Sequence, residues 1–406
     1  MPLSLMQRID FWIGIPLCAI CTCILKILRA FKLDQYIFSS NSKRLLLIEL
    51  SEMGSTVIAS PAIKYAVDQL GKEQVFFLIF ERNKEGITLL NLLSNRNVIT
   101  IDDSSFLRFI VSTTKALIFI WKANIGITVD LEIFSRCTVL LSLLSRASKR
   151  IGLSTYRDEG LYRGDLFTKE VLYSPHHHMS VVYQSLVESA LTETQVKSDL
   201  VPLKRKISVE SFLPIAEIST DTRSKIDHLF KQFALEGKDL IVLNPDPGLL
   251  PLRGWPVENF SKLATRILAE LPDVVVIVTG VKRAKLLAQE ILSGLPSDRA
   301  VDLTGATDTV EELLGLLARC RFMVTIDSGP AHLAALVRLP RVVLFGPETP
   351  SLYAPLGEEV STIFMGLCCS PCFSAANHRT SVCKDNVCMK SISADDVFAV
   401  VQRALR

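Results

Sequence analysis

The chain is short of net charge, of cysteine and of the two commonest nucleotide-site fingerprints, and each shortage closes off a class of protein. Its 406 residues carry 45 Lys and Arg against 42 Asp and Glu, a formal +3. So small an excess gives no electrostatic footprint for a nucleic acid. Ten cysteines are too dilute for a disulfide scaffold. No G-x-G-x-x-G follows the first strand, so a dinucleotide reading is weak. No D-x-D pair offers two carboxylates to a divalent ion and a diphosphate; Asp130-Leu131-Glu132 comes nearest. What is present is ordinary for a globular chain, 49% apolar and 21% charged. The length favours two or three domains.

The charge is unevenly placed. Arg8, Lys26, Arg29, Lys32, Lys43 and Arg44 stand against Asp10 and Asp34 in residues 1–44, a net +4, so the remainder is slightly acidic. Phe11 to Leu25 is an uncharged, apolar run of fifteen residues. That is shorter than the roughly 17–25 residues of a usual bilayer span. Pro16 would kink a helix there. Lys26, Arg29 and Lys32 follow the run, where cations favour the cytosolic side and anionic lipid. A cleaved signal would want its cations first and a small-x-small site after. The expectation is a retained, membrane-associating segment, interfacial or re-entrant, over residues 1–40. The plainer reading is an apolar helix packed on the protein itself.

From residue 44 the chain alternates apolar strand-like runs with helical stretches. Strands are expected at 45–50, 75–80, 97–100 and 126–131, with helices at 57–70 and 135–147. Fully apolar strands between helices argue for a parallel sheet covered on both faces. The pattern fades after about 155, and residues 201–237 read as a linker with one helix near 220–235. It then restarts, with strands at 239–245, 274–280, 321–327 and 341–346 and helices at 256–270, 282–294, 309–319 and 330–338. Two such halves fit a two-domain Rossmann-like arrangement, with ligands outside the carboxyl ends of the strands in a cleft between them.

The most informative segment is IDSGPAHL, Ile326 to Leu333. A strand ends at Asp327, Ser328 and Gly329 turn the chain, and Pro330 opens a helix. Unpaired N–H groups at such a turn suit a phosphate, with Asp327 and His332 flanking it. A plain strand–turn–helix capped by Ser328 would look the same. NPDPGLLPLRGWP (244–256) also leaves a strand and enters a helix, and Arg253 offers a planar fork of donors. In IELSEMGSTVIASPAI (48–63), Glu52, Ser55 and Thr56 sit at the first strand-to-helix turn.

Together these segments resemble glycosyltransferase family 9, the heptosyltransferase family, over about residues 43–405. The resemblance rests on RLLLIELSEMGSTVIASPAI, RIGL, LNPDPGLLPLRGWPVENF, VVVIVTG and above all DSGPAHLAALVRLPRVVLFGPETPSLYAPLG. It implies the GT-B architecture, two Rossmann-like domains facing across a cleft. The domains would run 41–200 for the acceptor and 238–390 for the donor, with a Cys-rich loop at 368–388 and a C-terminal helix at 391–406. It implies inverting, metal-independent transfer of a sugar from a nucleotide-sugar, an ADP-sugar being favoured. The acceptor would be lipid-linked, at the cytoplasmic face of the bacterial inner membrane.

The family's D-[ST]-G-x-x-H falls on Asp327, Ser328, Gly329 and His332, which would hold the donor's diphosphate and sugar. The basic residue two before Trp-Pro falls on Arg253, where many members have lysine. Asn244 lies on the phosphate-approaching loop, and Gly280 ends the strand before a stretch bordering the nucleoside. One departure matters. The family's first loop often ends in an Asp that serves as base, and Ser55 stands there. Neutral serine is a poor proton acceptor. Glu52, three residues earlier, could take that role; another carboxylate could; or the chain could bind a nucleotide-sugar without transferring it. An epimerase or hydrolase of the same architecture is a weaker alternative.

Cys369-x2-Cys372, ten residues, Cys383, four residues, Cys388 has a spacing compatible with a zinc or iron–sulfur site, to which His378 could add. Free or partly buried thiols are the competing reading, and disulfides suit a cytosolic domain poorly. Cys18, Cys21 and Cys23 belong to the apolar run. His176, His177 and His178 read as a polar loop before a helix.

Overall fold

Strands that are apolar at every position need cover on both faces, and the chain builds two sheets of such strands. The computed structural model describes residues 3–50, 52–154, 161–192, 213–375, 377 and 379–406. Two compact units divide it, 1–209 and 210–406.

Unit 1 contains β1 (Leu45–Ile48), β2 (Val75–Phe80), β3 (Val98–Ile101), β4 (Ile127–Asp130), β5 (Lys149–Ser154) and β6 (Lys169–Leu172). Its helices are α1 (Leu3–Trp12), α2 (Gly14–Ala30), α3 (Asp34–Ile37), α4 (Met53–Ile58), α5 (Ser60–Leu70), α6 (Lys84–Thr88), α7 (Phe106–Lys122), α8 (Arg136–Leu144) and α9 (Met179–Leu191). The strands are parallel in the order β3-β2-β1-β4-β5-β6.

Unit 2 contains β7 (Asp239–Asn244), β8 (Val274–Val278), β9 (Ala300–Asp302), β10 (Phe322–Ile326), β11 (Arg341–Phe345) and β12 (Val360–Phe364). Its helices are α10 (Thr220–Gln232), α11 (Val257–Glu270), α12 (Lys285–Leu292), α13 (Val310–Leu317), α14 (Gly329–Leu333), α15 (Pro350–Tyr353), α16 (Val387–Lys390) and α17 (Ala394–Leu405). The order β12-β11-β10-β7-β8-β9 is the same winding as in unit 1. Each sheet reverses direction once, between β1 and β4 and between β7 and β10. In doubly wound sheets that reversal opens the ligand crevice at the carboxyl ends.

Several expectations are corrected. The helix expected at 57–70 is two, α4 and α5, because Pro61 in the first turn of α5 has no N–H to continue the ladder. The linker expected over 201–237 is shorter at its far end, since Ile226 and Phe230 of α10 are buried in the core of unit 2; residues 201–212 lie outside the described ones. The C-terminal helix is part of unit 2, with Val397, Phe398 and Val401 buried in its core. A Ser393–Asp396 capping box starts it.

The N-terminal segment is likewise part of unit 1. The chain breaks at Ile13 between α1 and α2, and Pro16 sits in the first turn of α2, where its missing N–H does least harm. Together, Arg8–Ala30 is long and apolar enough to cross a membrane, although its uncharged stretch is shorter. One face of α2, Gly14, Cys18, Thr22 and Leu25, is buried. Cys18 and Leu25 pack with Val139, Leu166 and Phe167. A Cβ on Gly14 would stand 2.8 Å from that of Arg136, so glycine sets how closely α2 approaches α8. Asp10 accepts from the Arg136 and Cys137 backbone amides at 2.9 and 3.0 Å and from the Arg136 guanidinium at 3.0 Å. It thereby satisfies the start of α8 and anchors the segment.

Candidate functional site

The carboxyl ends of β7 and β10 bring together most residues singled out in the C-terminal half. Asn244 ends β7. Its side-chain amide donates to the Thr279 carbonyl at 3.1 Å and to Thr279 Oγ1 at 3.2 Å, and Thr325 Oγ1 donates to its Oδ1 at 3.4 Å. Asn244 is buried and braces β7, β8 and β10, so it positions the loop rather than facing a ligand. Beyond it, Asp246 Oδ1 accepts from the Gly248 amide at 2.9 Å, and Arg283 pairs with Asp246 at 3.4 Å. Gly248 has φ +64°, a left-handed turn that glycine makes without strain.

Arg253 is mostly buried between two acids. Its Nε lies 3.2 Å from Asp327 Oδ2 and its Nη2 3.5 Å from Glu348 Oε1. Glu348 is buried at the exit of β11, and Arg379 Nε reaches the same oxygen at 3.1 Å. Arg379 also lies over the Tyr353 ring, 5.2 Å from its centre. Nη2 is thus hydrogen-bonded, Nε is ion-paired without a hydrogen bond, and Nη1 bonds none of the described residues. Two cations and two carboxylates share this small volume, a near-neutral network able to reorganise around an incoming anion. Glu348 and Arg379 escaped the sequence reading. The only signal was Glu348 at a strand exit within GPETP.

Ser328 occupies the cap position of α14, yet its side chain makes no capping bond; its Oγ lies 3.4 Å from Thr325 Oγ1. A Cβ on Gly329 would meet nothing within 4 Å, so the turn is open. His332 is buried in α14. The helix expected over 330–338 is five residues, followed by a 3₁₀ turn, Ala334–Val337. So short a helix sums few peptide dipoles, and Arg253 is the cation nearest Asp327 at the turn. At Gly280 a Cβ would come 3.3 Å from that of Ala284, and the Gly280 carbonyl accepts from the Gly305 amide at 2.8 Å.

The carboxyl ends of β1 and β4 in unit 1 gather acids. Glu49 is buried and accepts from Thr56 Oγ1 at 2.9 Å. Burial, then the nearby Glu132 carboxylate, raises its pKa well above the ordinary value. Glu132 accepts from the Leu50 amide at 2.7 Å. Glu52 caps α4 by position, is half-buried, and has Ser55 Oγ 3.5 Å from its Oε2. Ser55 itself is buried. Ser51 lies outside the described residues. Asp130, the nearest thing to a metal-binding pair with Glu132, is instead buried against Arg163 at 3.4 Å and accepts from Thr138 at 2.9 Å.

Burial pushes Asp130 up to about 7 against the pull of Arg163. The folded state therefore holds a proton that the unfolded chain releases near pH 4. That stabilisation is present at low pH and is lost as pH rises toward 7. We expect Asp130→Asn to flatten this slope, the wild-type advantage shrinking by up to about 4 kcal/mol between pH 4 and 8. Thermal unfolding of both proteins across that range measures it; parallel curves would refute it.

The cysteine reading is corrected. All ten are free thiols. Among the described residues no group of three or more His, Cys, Asp or Glu could hold a metal ion. Cys369 is exposed, Cys388 is buried beneath Gly346, and Cys383 Sγ donates to the Asp385 carbonyl at 3.0 Å. Cys369, Cys372, Cys383 and Cys388 are therefore not drawn into one ligand set. His378 lies outside the described residues. His178 caps α9, its Nδ1 accepting from the Ser180 amide at 3.3 Å, and His177 Nδ1 lies 2.7 Å from Ser174 Oγ.

A model of glycosyltransferase family 9 (heptosyltransferase) matches residues 174–382, a little over half of the chain. The chain belongs to glycosyltransferase family 9. The matched span takes in Asn244, Arg253, Gly280, Asp327, His332, Glu348 and Arg379, and stops short of Glu52. Lipooligosaccharide heptosyltransferase 2 of Haemophilus influenzae is 31% identical over 172 residues, 41% of this chain and 46% of the relative. The chain thus spans about half the length of the curated relatives it matches. The glycosyl transferase family 9 structure from Veillonella parvula is 18% identical with TM-score 0.68, covering 90% of this chain and 98% of that one. E. coli ADP-heptose LPS heptosyltransferase II is 18% identical with TM-score 0.65, covering 89% and 98%. At such identity the likeness is one of fold: this family member has the two parallel-sheet α/β domains of GT-B heptosyltransferases.

Proposed function

We propose that this family member transfers a heptose-like sugar, with inversion, from an ADP-sugar or a related nucleoside-diphosphate sugar to a lipid-linked, lipopolysaccharide-type acceptor. The Arg253–Asp327–Glu348 network carries the reading, because it stands on the family's own motif at the switch point of unit 2. The bond from the sugar's anomeric carbon to the diphosphate breaks as the acceptor oxygen bonds to that carbon. Arg253 stabilises charge growing on the departing diphosphate, and Glu52 takes the acceptor's proton. No divalent ion is required in this scheme. The absence of a D-x-D pair and the burial of Asp130 against Arg163 both support that. The retained N-terminal helices, followed by Lys26, Arg29 and Lys32, hold the protein at the cytoplasmic face of the inner membrane.

Ser55 at the family's base position favours a second reading, a nucleotide-sugar binder without transferase activity. A thermal-shift panel tests the shared premise. It uses the full chain with ADP, GDP, UDP, CMP and their sugars, since removing 1–40 would strip α2 from Val139. A ligand at about a hundred times its dissociation constant adds about 2.7 kcal/mol. One nucleotide should stabilise the wild type and fail to stabilise Asp327→Ala. No shift with any of them would overturn both readings. Sugar transfer to a lipopolysaccharide-type acceptor then separates enzyme from binder.

A further inference from the structure

Helix α7 is apolar on two opposite sides, and such helices are normally buried on both. This one is not. Ala116 and Ile120 lie in the core over β1 and β2, whereas Leu107, Ile110, Val111, Ile118 and Trp121 are exposed along the opposite stripe. Leu107 is 73% exposed. The neighbouring helices continue the layer. Leu141 of α8 shares the core with Ala116 and Ile120, and Val139 of α8 packs on Cys18 and Leu25 of α2. Trp121 Nε1 donates to the Leu144 carbonyl at 2.8 Å, joining the ends of α7 and α8.

The outward side of α2 repeats the pattern: Leu17, Ile20, Ile24, Ile27 and Phe31 are exposed, opposite its buried face. Helices α2 and α7 therefore present aliphatic and aromatic side chains outward, and α8, packed against both, adds Leu144 at its end. That is far more than the scattered apolar exposure of a soluble monomer. The charges are of one sign. None of α2, α7 and α8 contains an acidic residue. Lys26, Lys32, Lys115 and Lys122 are exposed and have no acidic partner among the described residues. Exposed Arg146 lies over the Trp121 ring, 4.3 Å from its centre.

We propose that α7 is a second membrane-contact element, and that the outer faces of α2, α8 and α7 together lie flat against a bilayer surface bearing anionic lipid. This rests on the membrane association given above and extends it. Helix α2 then lies in the interface rather than across it, because Cys18, Thr22 and Leu25 tie it along its length to unit 1. An apolar face rimmed by lysines fits acyl chains beneath anionic headgroups. A second copy of the chain would set those lysines against one another.

Vesicle partitioning of the full chain tests it, with phosphatidylglycerol–phosphatidylcholine vesicles against phosphatidylcholine alone. One variant carries Leu107→Glu, Ile110→Glu and Val111→Glu; the other carries Ile20→Glu, Ile24→Glu and Ile27→Glu. All six positions are exposed, and unchanged melting temperatures show that both variants fold. Each should lose about tenfold or more in partitioning to anionic vesicles. In Trp12→Phe, brominated lipid should still quench Trp121. If only the α2 variant loses binding and Trp121 is not quenched, the N-terminal anchor stands and the α7 proposal falls. If neither variant loses binding, both fall. A dimer broken by the α7 variant, without vesicle binding by the wild type, would also overturn the proposal.

Discussion

Arg253→Ala should abolish nucleotide-sugar binding and leave unit 2 about 3–5 kcal/mol less stable, the largest combined effect expected of any single change. Both consequences follow from one arrangement. Arg253 lies between Asp327 and Glu348, both buried. Removing it takes away a cation that lies 3.2 Å from Asp327 and 3.5 Å from Glu348. Taking one partner out of a buried ion-pair network is a severe liability. The diphosphate meanwhile loses the forked donor expected to stabilise its departure. A loss of about a hundredfold to a thousandfold in kcat is the usual scale for such a group. Stability and binding can be separated. Adding Glu348→Gln to Arg253→Ala removes one of the two buried negative charges and should recover part of the melting temperature while restoring no nucleotide-induced shift. Arg253→Lys keeps the charge but cannot span both acids, so it should fall between. If Arg253→Ala still gave the full nucleotide shift, Arg253 would be a structural ion-pair residue and the donor site would lie elsewhere.

The two sheets were legible in the sequence because a short, wholly apolar run between two helices fits a buried parallel strand and little else. The strands expected at 75–80 and 341–346 stand at 75–80 and 341–345. The family followed from one long motif, now matched within residues 174–382. What escaped has physical reasons. Helix α7 was not among the expected helices; its core-facing and outward stripes are both apolar, and Arg108, Lys115 and Lys122 mark a polar stripe between them. Short strands at sheet edges, β6, β9 and β12, carry mixed polar and apolar positions and look like loops. Glu348 and Arg379 join Arg253 only through the fold, across 95 residues in the case of Glu348. The resemblance placed Asn244 on the phosphate-approaching loop, and its bonds to Thr279 and Thr325 show it bracing the start of that loop. The cysteine spacing left a metal site and free thiols open, and among the described residues no group of three or more ligands converges.

Glu52→Gln should lower the rate of sugar transfer by about a hundredfold to ten-thousandfold, with the nucleotide-induced thermal shift unchanged. Inverting transfer needs the acceptor hydroxyl to lose its proton as it attacks, and Ser55 cannot hold that proton at neutral pH. Three other acids cluster nearby, and their surroundings set them apart from Glu52. Glu49 is buried, its pKa is raised by burial and by Glu132, and its carboxyl already accepts from Thr56 away from the mouth of the turn. Asp130 is buried against Arg163. Glu132 is engaged by the Leu50 amide. Glu52 is the half-buried carboxylate at the mouth of the turn, with the Ser55 hydroxyl 3.5 Å away. Glu49→Gln should therefore stay near wild-type activity, because the buried amide can still accept from Thr56. The double variant Glu52→Gln with Ser55→Asp should regain part of the lost rate, since it returns a carboxylate to the family's base position. Activity that falls in acid should lose that limb in Glu52→Gln. If Glu52→Gln transfers sugar as fast as the wild type, the proton goes elsewhere, and Glu132 becomes the first residue to replace. If wild type and the Ser55→Asp variant both bind nucleotide-sugar and neither transfers it, the binder reading prevails.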